Sequence, residues 1–183
     1  MDAGTLCYRH YCEEGDQSAF TELVCTYGDG LLLYLNTLVG DLGAAEELTE
    51  DTFVVLGLKR PKDKGGASFK TWLYTIGRNL AIDHLRKEKR HPSSVMEDCS
   101  PAVETVESRY LQNEEKQILH HAISRLKWDY RQVLWLIYFE NFSQKEAATV
   151  LKKNVHAVET LVYRARNALR EQLEKEGYSH ERI

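Results

Sequence analysis

The chain has 183 residues, of which 43% are hydrophobic and 28% are charged, and its formal net charge is −4. This composition is ordinary for a soluble globular protein, and the length allows one medium domain or two small ones. No apolar run approaches the roughly 18 residues that a membrane-spanning helix needs, and the polar, acidic N-terminus is unlike a secretory signal. We therefore expect a cytoplasmic protein without membrane insertion.

The charge is distributed unevenly along the chain. Residues 1–58 carry a net charge of −10 and residues 59–91 carry +7, whereas residues 92–117 carry −4 and residues 118–183 carry +3. Basic segments favour contact with a polyanion such as nucleic acid, and an acidic segment favours a basic partner. The pattern predicts two contacts with nucleic acid and a separate surface for another partner.

The N-terminal half has helical rather than strand periodicity. Apolar residues over 20–38 predict one helix, or two helices interrupted near Gly28–Gly30, and residues 44–59 predict another. Residues 61–66 (PKDKGG) are typical of a loop. Ser68 is a candidate N-cap for the next helix. The predicted buried stripe of that helix is Phe69, Trp72, Leu73, Ile76 and Leu80.

Between residues 91 and 108 the periodicity lapses, and Pro, Ser and acidic residues are frequent. Such a composition is typical of a flexible linker. After it, helices are predicted at about 108–125, 128–140, 143–151 and 155–173. We therefore predict an all-α protein of two small helical domains, residues 1–90 and 109–183, joined by the flexible linker 91–108.

The C-terminal domain has the pattern of a helix-turn-helix. Ser143 and Glu146 have the spacing of a capping box, and residues 152–154 form a short turn in which Asn154 tolerates the left-handed conformation. The apolar stripe of the second helix is Val155, Val158, Val162, Ala165 and Leu169. Its outer face, expected to read duplex DNA, carries His156, Glu159, Thr160, Tyr163, Arg164 and Asn167. An ordinary helical hairpin with a solvated face would show the same spacing.

The helix that begins at Phe69 combines aromatic and basic side chains. They are Phe69, Trp72 and Tyr74 with Lys70, Arg78, Arg86, Lys87, Lys89 and Arg90. This mixture suits single-stranded nucleic acid, because cations bind the phosphates while rings stack on unpaired bases. The alternative is structural, with Trp72 in the core and the basic run as a solvated helix end.

These segments resemble a known family. Residues 45–53 (AEELTEDTF) and 69–86 (FKTWLYTIGRNLAIDHLR) are similar to region 2 of RNA polymerase sigma factors of the sigma-70 family, in its extracytoplasmic-function (ECF) group. Residues 124–134 and 142–166 are similar to region 4. The order of the two regions, the acidic linker and the total length also agree, so the resemblance covers nearly the whole chain.

The resemblance implies a sigma factor that binds core RNA polymerase and directs promoter recognition, DNA melting and transcription initiation. Glu47, Glu50 and Asp51 match the positions that contact the β′ clamp helices, and the β flap is the second polymerase contact. The −10 element would be held by Ser68, Phe69, Tyr74, Arg78 and Asn79, with Arg86, Lys87 and Arg90 on phosphates. The outer face of the helix-turn-helix would read the −35 element, and an anti-sigma factor is an expected partner.

The chain departs from the family pattern at three places. It has Leu126-Lys127 where Leu-Pro is usual, Lys153 near a usual glycine, and Glu159 and Leu161 where basic residues are common. These departures leave the predicted fold unchanged, but they affect the expected sequence preference at the −35 element. Glu159 would not bind phosphate, although a carboxylate can accept a hydrogen bond from cytosine N4.

Two other classes of protein compete with this interpretation. An enzyme is disfavoured because the sequence has no metal-ligand cluster, P-loop or nucleophile elbow, and Cys7, Cys12, Cys25 and Cys99 are irregularly spaced. We therefore expect free thiols and no metal or other cofactor. A stand-alone helix-turn-helix regulator of duplex DNA explains residues 118–183 equally well. It does not explain the acidic and then basic N-terminal half.

Overall fold

The computed structural model describes residues 2–59, 67–90, 114–175 and 177 of the chain. Within these ranges the regular structure consists of eight helices, and contacts divide the chain into two units, Met1–Val106 and Glu107–Ile183. The predicted fold class, all-α with two small helical domains, is confirmed. The proposed linker 91–108 lies outside the described residues, so the domain limits stay predictions. In the described part, every helix is too short or too polar to cross a membrane.

The first unit contains four helices: α1 (Ala3–Glu14), α2 (Gln17–Val39), α3 (Leu42–Lys59) and α4 (Phe69–Arg90). Helix α1 was not predicted. Helix α2 is continuous, because Gly30 packs inside the core and does not interrupt it, and it ends at Gly40, whose φ of 74° is left-handed. Ser68 caps α4 as predicted, since its hydroxyl accepts a hydrogen bond from the Thr71 amide at 3.2 Å.

Helices α2, α3 and α4 meet at Gly77. A Cβ atom there would lie 3.0 Å from Cδ1 of Leu31 on α2 and 3.3 Å from Oγ1 of Thr52 on α3. Such short contacts leave room for little more than a hydrogen, so glycine allows α4 to approach both helices closely. This packing fixes which sides of α3 and α4 face the core.

The second unit contains α5 (Glu114–Ser124), α6 (Trp128–Tyr138), α7 (Gln144–Leu151) and α8 (Val155–Lys175). The predicted helix at 108–125 is described only from residue 114. Trp135 of α6 is fully buried and stacks on Phe139, with ring centroids 4.3 Å apart and an interplanar angle of 11°. Val158 and Val162 of α8 are also buried, so the inner side of α8 is held against a rigid core.

Candidate nucleic-acid and partner interfaces

The helix-turn-helix comprises α7, the turn and α8. Ser143 and Glu146 form the predicted capping box: the Glu146 amide donates to Oγ of Ser143 at 3.3 Å, and the Ser143 amide donates to Oε2 of Glu146 at 2.9 Å. The left-handed residue of the turn is Lys152, with φ 53°, rather than Asn154 as expected. Asn154 instead caps α8, because its side-chain oxygen accepts from the Ala157 amide at 2.7 Å.

One face of α8 is buried and the other is open to solvent. Val158, Val162, Ala165 and Leu169 are buried, as the apolar stripe predicted. Val155 departs from the prediction: it is 41% exposed, because as the first residue of the helix it lies at the edge of the buried face. The inner side of α8 is therefore structural and unavailable to DNA.

The outer face of α8 carries all six residues predicted to read duplex DNA. His156, Glu159, Tyr163 and Arg164 are exposed, Tyr163 by 69%, and Thr160 and Asn167 are partly exposed. Nδ1 of His156 lies 3.5 Å from Oε2 of Glu159. The Thr160 hydroxyl donates to the His156 carbonyl at 3.0 Å. The face is accessible, and Glu159 has a cationic neighbour whenever His156 is protonated.

Helix α4 turns a partly different side to the core than the sequence predicted, because only Phe69 and Leu73 of the predicted stripe are buried. Its buried residues are Phe69, Thr71, Leu73, Tyr74, Gly77, Arg78 and Ala81. Trp72, Ile76 and Leu80, predicted to be buried, are partly exposed. The core-facing side is displaced because Gly77 and Arg78, which hydropathy does not mark as buried, lie on it.

This orientation changes three of the predicted −10 contacts. The Phe69 ring packs against Tyr8 and Tyr27, with centroids 5.6 and 5.4 Å away, and Tyr74 lies 5.3 Å from Tyr34. Phe69 is 2% exposed, Tyr74 0% and Arg78 7%. Side chains with so little accessible area cannot stack on a base or bind a phosphate in this conformation. We therefore assign Phe69, Tyr74 and Arg78 to the core.

The outer side of α4 carries a different set of candidates. Four partly or fully exposed side chains lie there: Trp72, Thr75, Asn79 and Arg86. Their successive spacings of three, four and seven residues place them on one side of the helix. Trp72 keeps part of its indole accessible while its ring contacts Tyr8, with centroids 5.2 Å apart. The sequence signal for this role was the aromatic–basic mixture, but hydropathy had assigned Trp72 to the buried stripe.

The basic end of α4 also carries acidic residues. A guanidinium nitrogen of Arg86 lies 3.5 Å from Oδ1 of Asp83, and Nε2 of His84 lies 3.6 Å from Oε1 of Glu88. Arg86 and Lys87 are exposed, as a phosphate-binding role requires. Ser68, the remaining predicted −10 contact, is partly exposed, whereas the side chain of Arg90 lies outside the described residues.

Helix α3 has an exposed side that is both acidic and apolar. Glu47, Glu50 and Asp51 are all exposed, as a docking surface requires. Val54 is 49% exposed and Leu58 81%. At 100° per residue, these five side chains fall within a sector of about 100°. We call this sector, residues 47, 50, 51, 54 and 58, the α3 face. Val54 and Leu58 were not among the predicted contacts, although their four-residue spacing along the acidic side was a usable signal.

No group of potential metal ligands occurs among the described residues. No disulfide involves Cys7, Cys12 or Cys25 in the described part of the chain, and Cys99 lies outside the described ranges. Burial, together with the nearby carboxylate of Glu22, raises the pKa of the Cys7 thiol. A raised pKa disfavours the thiolate, which is the form that reacts with electrophiles and metals.

Comparison with known proteins matches both units to one family. The patterns described as Sigma-70 region 2 and Sigma-70, region 4 match residues 23–91 and 116–169. The RNA polymerase sigma-H factor of Pseudomonas aeruginosa is 30% identical over 168 residues, covering 86% of this chain and 87% of that protein. The ECF RNA polymerase sigma factor SigW of Bacillus subtilis is 30% identical over 176 residues, covering 88% of this chain and 92% of SigW.

Two solved structures resemble the fold, each with 25% sequence identity. CnrH in complex with the cytosolic domain of CnrY has a TM-score of 0.68 and covers 95% of this chain and 99% of that chain. The sigma factor RpoE in complex with the anti-sigma factor NepR, from Bartonella quintana, has a TM-score of 0.66 and covers 85% of this chain and 96% of that chain. The chain belongs to the sigma-70 family, in its ECF group, and acts as an RNA polymerase sigma factor in promoter-directed transcription.

Proposed function

We propose that this sigma factor works in the cytoplasm through three separate surfaces and catalyses no reaction itself. The α3 face docks on the β′ clamp helices of core polymerase, the outer side of α4 holds the melted −10 element, and the outer face of α8 reads the −35 element. The second unit also contacts the β flap. RNA synthesis is left to the polymerase, and melting is driven by binding energy for unstacked bases.

The α3 face supports the docking proposal by its chemistry. Val54 and Leu58 expose apolar area beside the acidic residues Glu47, Glu50 and Asp51. Buried apolar contacts stabilise a protein–protein interface, and a rim of charges orients it and speeds association. Nucleic acid would be repelled by three carboxylates, so this face suits a basic protein surface.

The outer side of α4 supports the −10 proposal by combining a stacking surface with hydrogen-bonding and cationic groups. Trp72 offers part of an indole, Asn79 offers an amide with donors and an acceptor, and Arg86 and Lys87 offer positive charge. Asn79 follows Trp72 by seven residues, so the ring and the amide lie about two turns apart on one side. A single strand running along the helix could contact both.

One observation carries the proposal: the N-terminal unit presents an acidic, partly apolar helix face and, separately, an aromatic–basic helix side. A stand-alone regulator of duplex DNA needs only the helix-turn-helix of the second unit. Two additional surfaces of opposite character fit a protein that binds polymerase and single-stranded DNA as well.

The direct test mixes the purified chain with core polymerase. We expect the two to co-migrate in size-exclusion chromatography, and the complex to start transcripts at promoters mapped after overexpression of the chain. The chain alone should bind operator-like duplex weakly. Tight duplex binding without polymerase, together with no co-migration, would contradict the proposal and favour a stand-alone regulator.

Replacing Asn79 with alanine should reduce open-complex formation more than polymerase recruitment. The amide is proposed to contact a base only after melting, so early promoter binding does not depend on it. Replacing Trp72 with alanine should have the larger effect, about fivefold to 150-fold, because stacking contributes ~1–3 kcal/mol per base. Permanganate reactivity of −10 thymines measures the open complex, and filter binding of closed complexes measures recruitment.

Asn36 provides a matched control for these variants, since it is a partly exposed asparagine on α2. Asn36→Ala should leave thymine reactivity unchanged. Equal losses of recruitment and melting in Asn79→Ala would show that Asn79 is not a base contact.

We also propose that an anti-sigma factor binds this chain. The support is that one similar structure contains the sigma factor RpoE bound to the anti-sigma factor NepR, and another contains CnrH bound to the cytosolic domain of CnrY. The α3 face and the outer side of α4 are the surfaces whose occlusion would block polymerase and promoter together.

A further inference from the structure

Helix α1 binds the C-terminal end of α3. The Tyr8 hydroxyl donates to the Leu56 carbonyl at 3.3 Å, and the Tyr11 hydroxyl donates to the Gly57 carbonyl at 3.0 Å. Helix α3 ends at Lys59, so both carbonyls belong to its last four, which have no partner within an α-helix. Two tyrosines of one helix therefore satisfy the end of another that lies more than forty residues away in the sequence.

The same helix also binds the N-terminal end of α4. Oδ1 of Asp2 accepts from the Thr5 amide at 3.1 Å, which caps α1. Oδ2 accepts from the Thr5 hydroxyl at 2.7 Å and from the amide of Phe69, the first residue of α4, at 3.3 Å. One carboxylate thus caps two helices. Burial alone would raise the pKa of Asp2, but these hydrogen bonds outweigh it and lower the pKa below its usual value.

Close packing accompanies these hydrogen bonds. A Cβ at Gly4 would lie 2.8 Å from Cδ1 of Phe69 and 2.8 Å from the hydroxyl of Tyr27, so no larger residue fits without displacement. The Tyr8 ring contacts both Phe69 and Trp72. Helix α1 therefore spans from the last turn of α3 to the first turn of α4.

We propose that α1 is a positioning element for promoter melting: Asp2, Tyr8 and Tyr11 fix the end of α3 relative to the start of α4. The inference rests on the proposed role of α4 in holding the −10 element. Trp72, one turn into α4, lies directly against Tyr8, with ring centroids 5.2 Å apart. Because hydrogen bonds are directional, these contacts set the orientation of the two helix ends, whereas apolar packing alone would tolerate small rotations.

The proposal is tested with two conservative variants of the full chain, each assembled with core polymerase. Asp2→Asn keeps a good N-cap but replaces one carboxylate oxygen with an NH2 donor. The Thr5 and Phe69 amides donate to different oxygens of Asp2, so one of them loses its acceptor. Tyr11→Phe keeps the ring that packs on Phe20, with centroids 4.6 Å apart, and loses only the hydroxyl. Each variant should melt the −10 element about threefold to tenfold less, the range expected for one lost hydrogen bond. Polymerase binding should not change.

A promoter with a pre-melted −10 segment distinguishes positioning from stability. We expect it to restore initiation by both variants, since the step that needs correct positioning is then bypassed. Asp16→Ala is the matched control: Asp16 caps α2 by accepting from the Ser18 and Ala19 amides, and this cap does not involve α3 or α4. It should lower Tm without changing promoter melting.

Normal melting by both Asp2→Asn and Tyr11→Phe would overturn the proposal. The proposal would also be overturned if the loss of melting were proportional to the loss in Tm in these variants and in Asp16→Ala alike. A melting defect that the pre-melted promoter does not relieve would overturn it too. If the wild-type chain failed to bind core polymerase, the proposed function itself would fail. Polymerase binding by the wild-type chain therefore distinguishes a failure of the positioning proposal from a failure of the proposed function.

Discussion

Changing Glu50 and Asp51 to lysine together should weaken binding to core polymerase by about tenfold or more, because like charges placed across an interface are strongly unfavourable. Both carboxylates are exposed on the α3 face, so they are available to a partner and their replacement leaves no buried group unsatisfied. The loss should be larger at low salt, where charge interactions are less screened. Pull-down of core enzyme over a salt series measures it, and circular dichroism should stay helical.

The apolar part of the α3 face gives an independent variant. Leu58 is 81% exposed and makes little contribution to the core. Leu58→Ala should therefore leave Tm almost unchanged while weakening polymerase binding in a way that salt does not alter. If the charge reversal loses polymerase binding in a salt-dependent way and Leu58→Ala loses it independently of salt, the interface has both a charged and an apolar component.

A matched control has the same change in charge elsewhere on the unit. Glu13 and Glu14 are exposed on α1, outside the α3 face, and Glu13→Lys with Glu14→Lys changes the net charge equally. This pair should bind polymerase nearly as well as wild type. Equal losses in both double variants would mean that overall charge, rather than the α3 face, attracts the polymerase. Unchanged binding in both would remove the docking assignment.

The sequence predicted the helix-turn-helix well because the patterns that mark it are local. The capping box joins residues three apart, and the buried positions of α8 repeat at helical spacing. The sequence correctly places Asn154 in the turn, but it predicts a left-handed residue where the structure has the N-cap of α8. Whether a residue near a turn adopts a left-handed conformation or caps the next helix depends on one dihedral angle, which residue type alone does not determine.

Helix α1 could not be predicted in the same way. Its buried residues are Gly4, Tyr8 and Tyr11, which share one side of the helix but, as a glycine and two tyrosines, have low hydropathy. Their partners, Leu56, Gly57 and Phe69, lie far along the chain, so no local pattern identifies them. The orientation of α4 was missed for a related reason. The helix packs closely on α2 and α3 at Gly77, where the absence of a side chain, rather than its hydropathy, brings them near.

The two features that were not predicted, helix α1 and the orientation of α4, change the candidate site more than they change the fold. A rotation of the buried side of α4 leaves the helix in place, yet it transfers Tyr74 and Arg78 to the core and exposes part of Trp72. Helical periodicity predicts the presence of a helix more reliably than it predicts which side of the helix is buried. Predicted contacts on a helix with mixed aromatic and basic residues are therefore sensitive to a single buried glycine.

Glu159→Ala should relax the preference for one base pair of the −35 element. The carboxylate is exposed on the outer face of α8, about one turn from Tyr163 and Arg164 on the same helix. We expect Glu159 to accept a hydrogen bond from a cytosine amino group, with discrimination of about 1–3 kcal/mol against other bases. Selection of −35 sequences from a randomised promoter library, with wild type and variant, measures the change.

The nearby His156 defines the competing explanation. Its Nδ1 lies 3.5 Å from Oε2 of Glu159, so a protonated His156 could neutralise the carboxylate near phosphate without any base contact. In that case Glu159→Ala would change affinity for all sequences alike, and Glu159→Lys would tighten binding to any duplex and steepen its salt dependence. Glu171→Ala, an exposed acid three turns further along α8, controls for charge. Identical selected motifs for wild type and Glu159→Ala would exclude base reading by Glu159. Tyr163 and Arg164, which share the exposed face, would then be the side chains left to read that position.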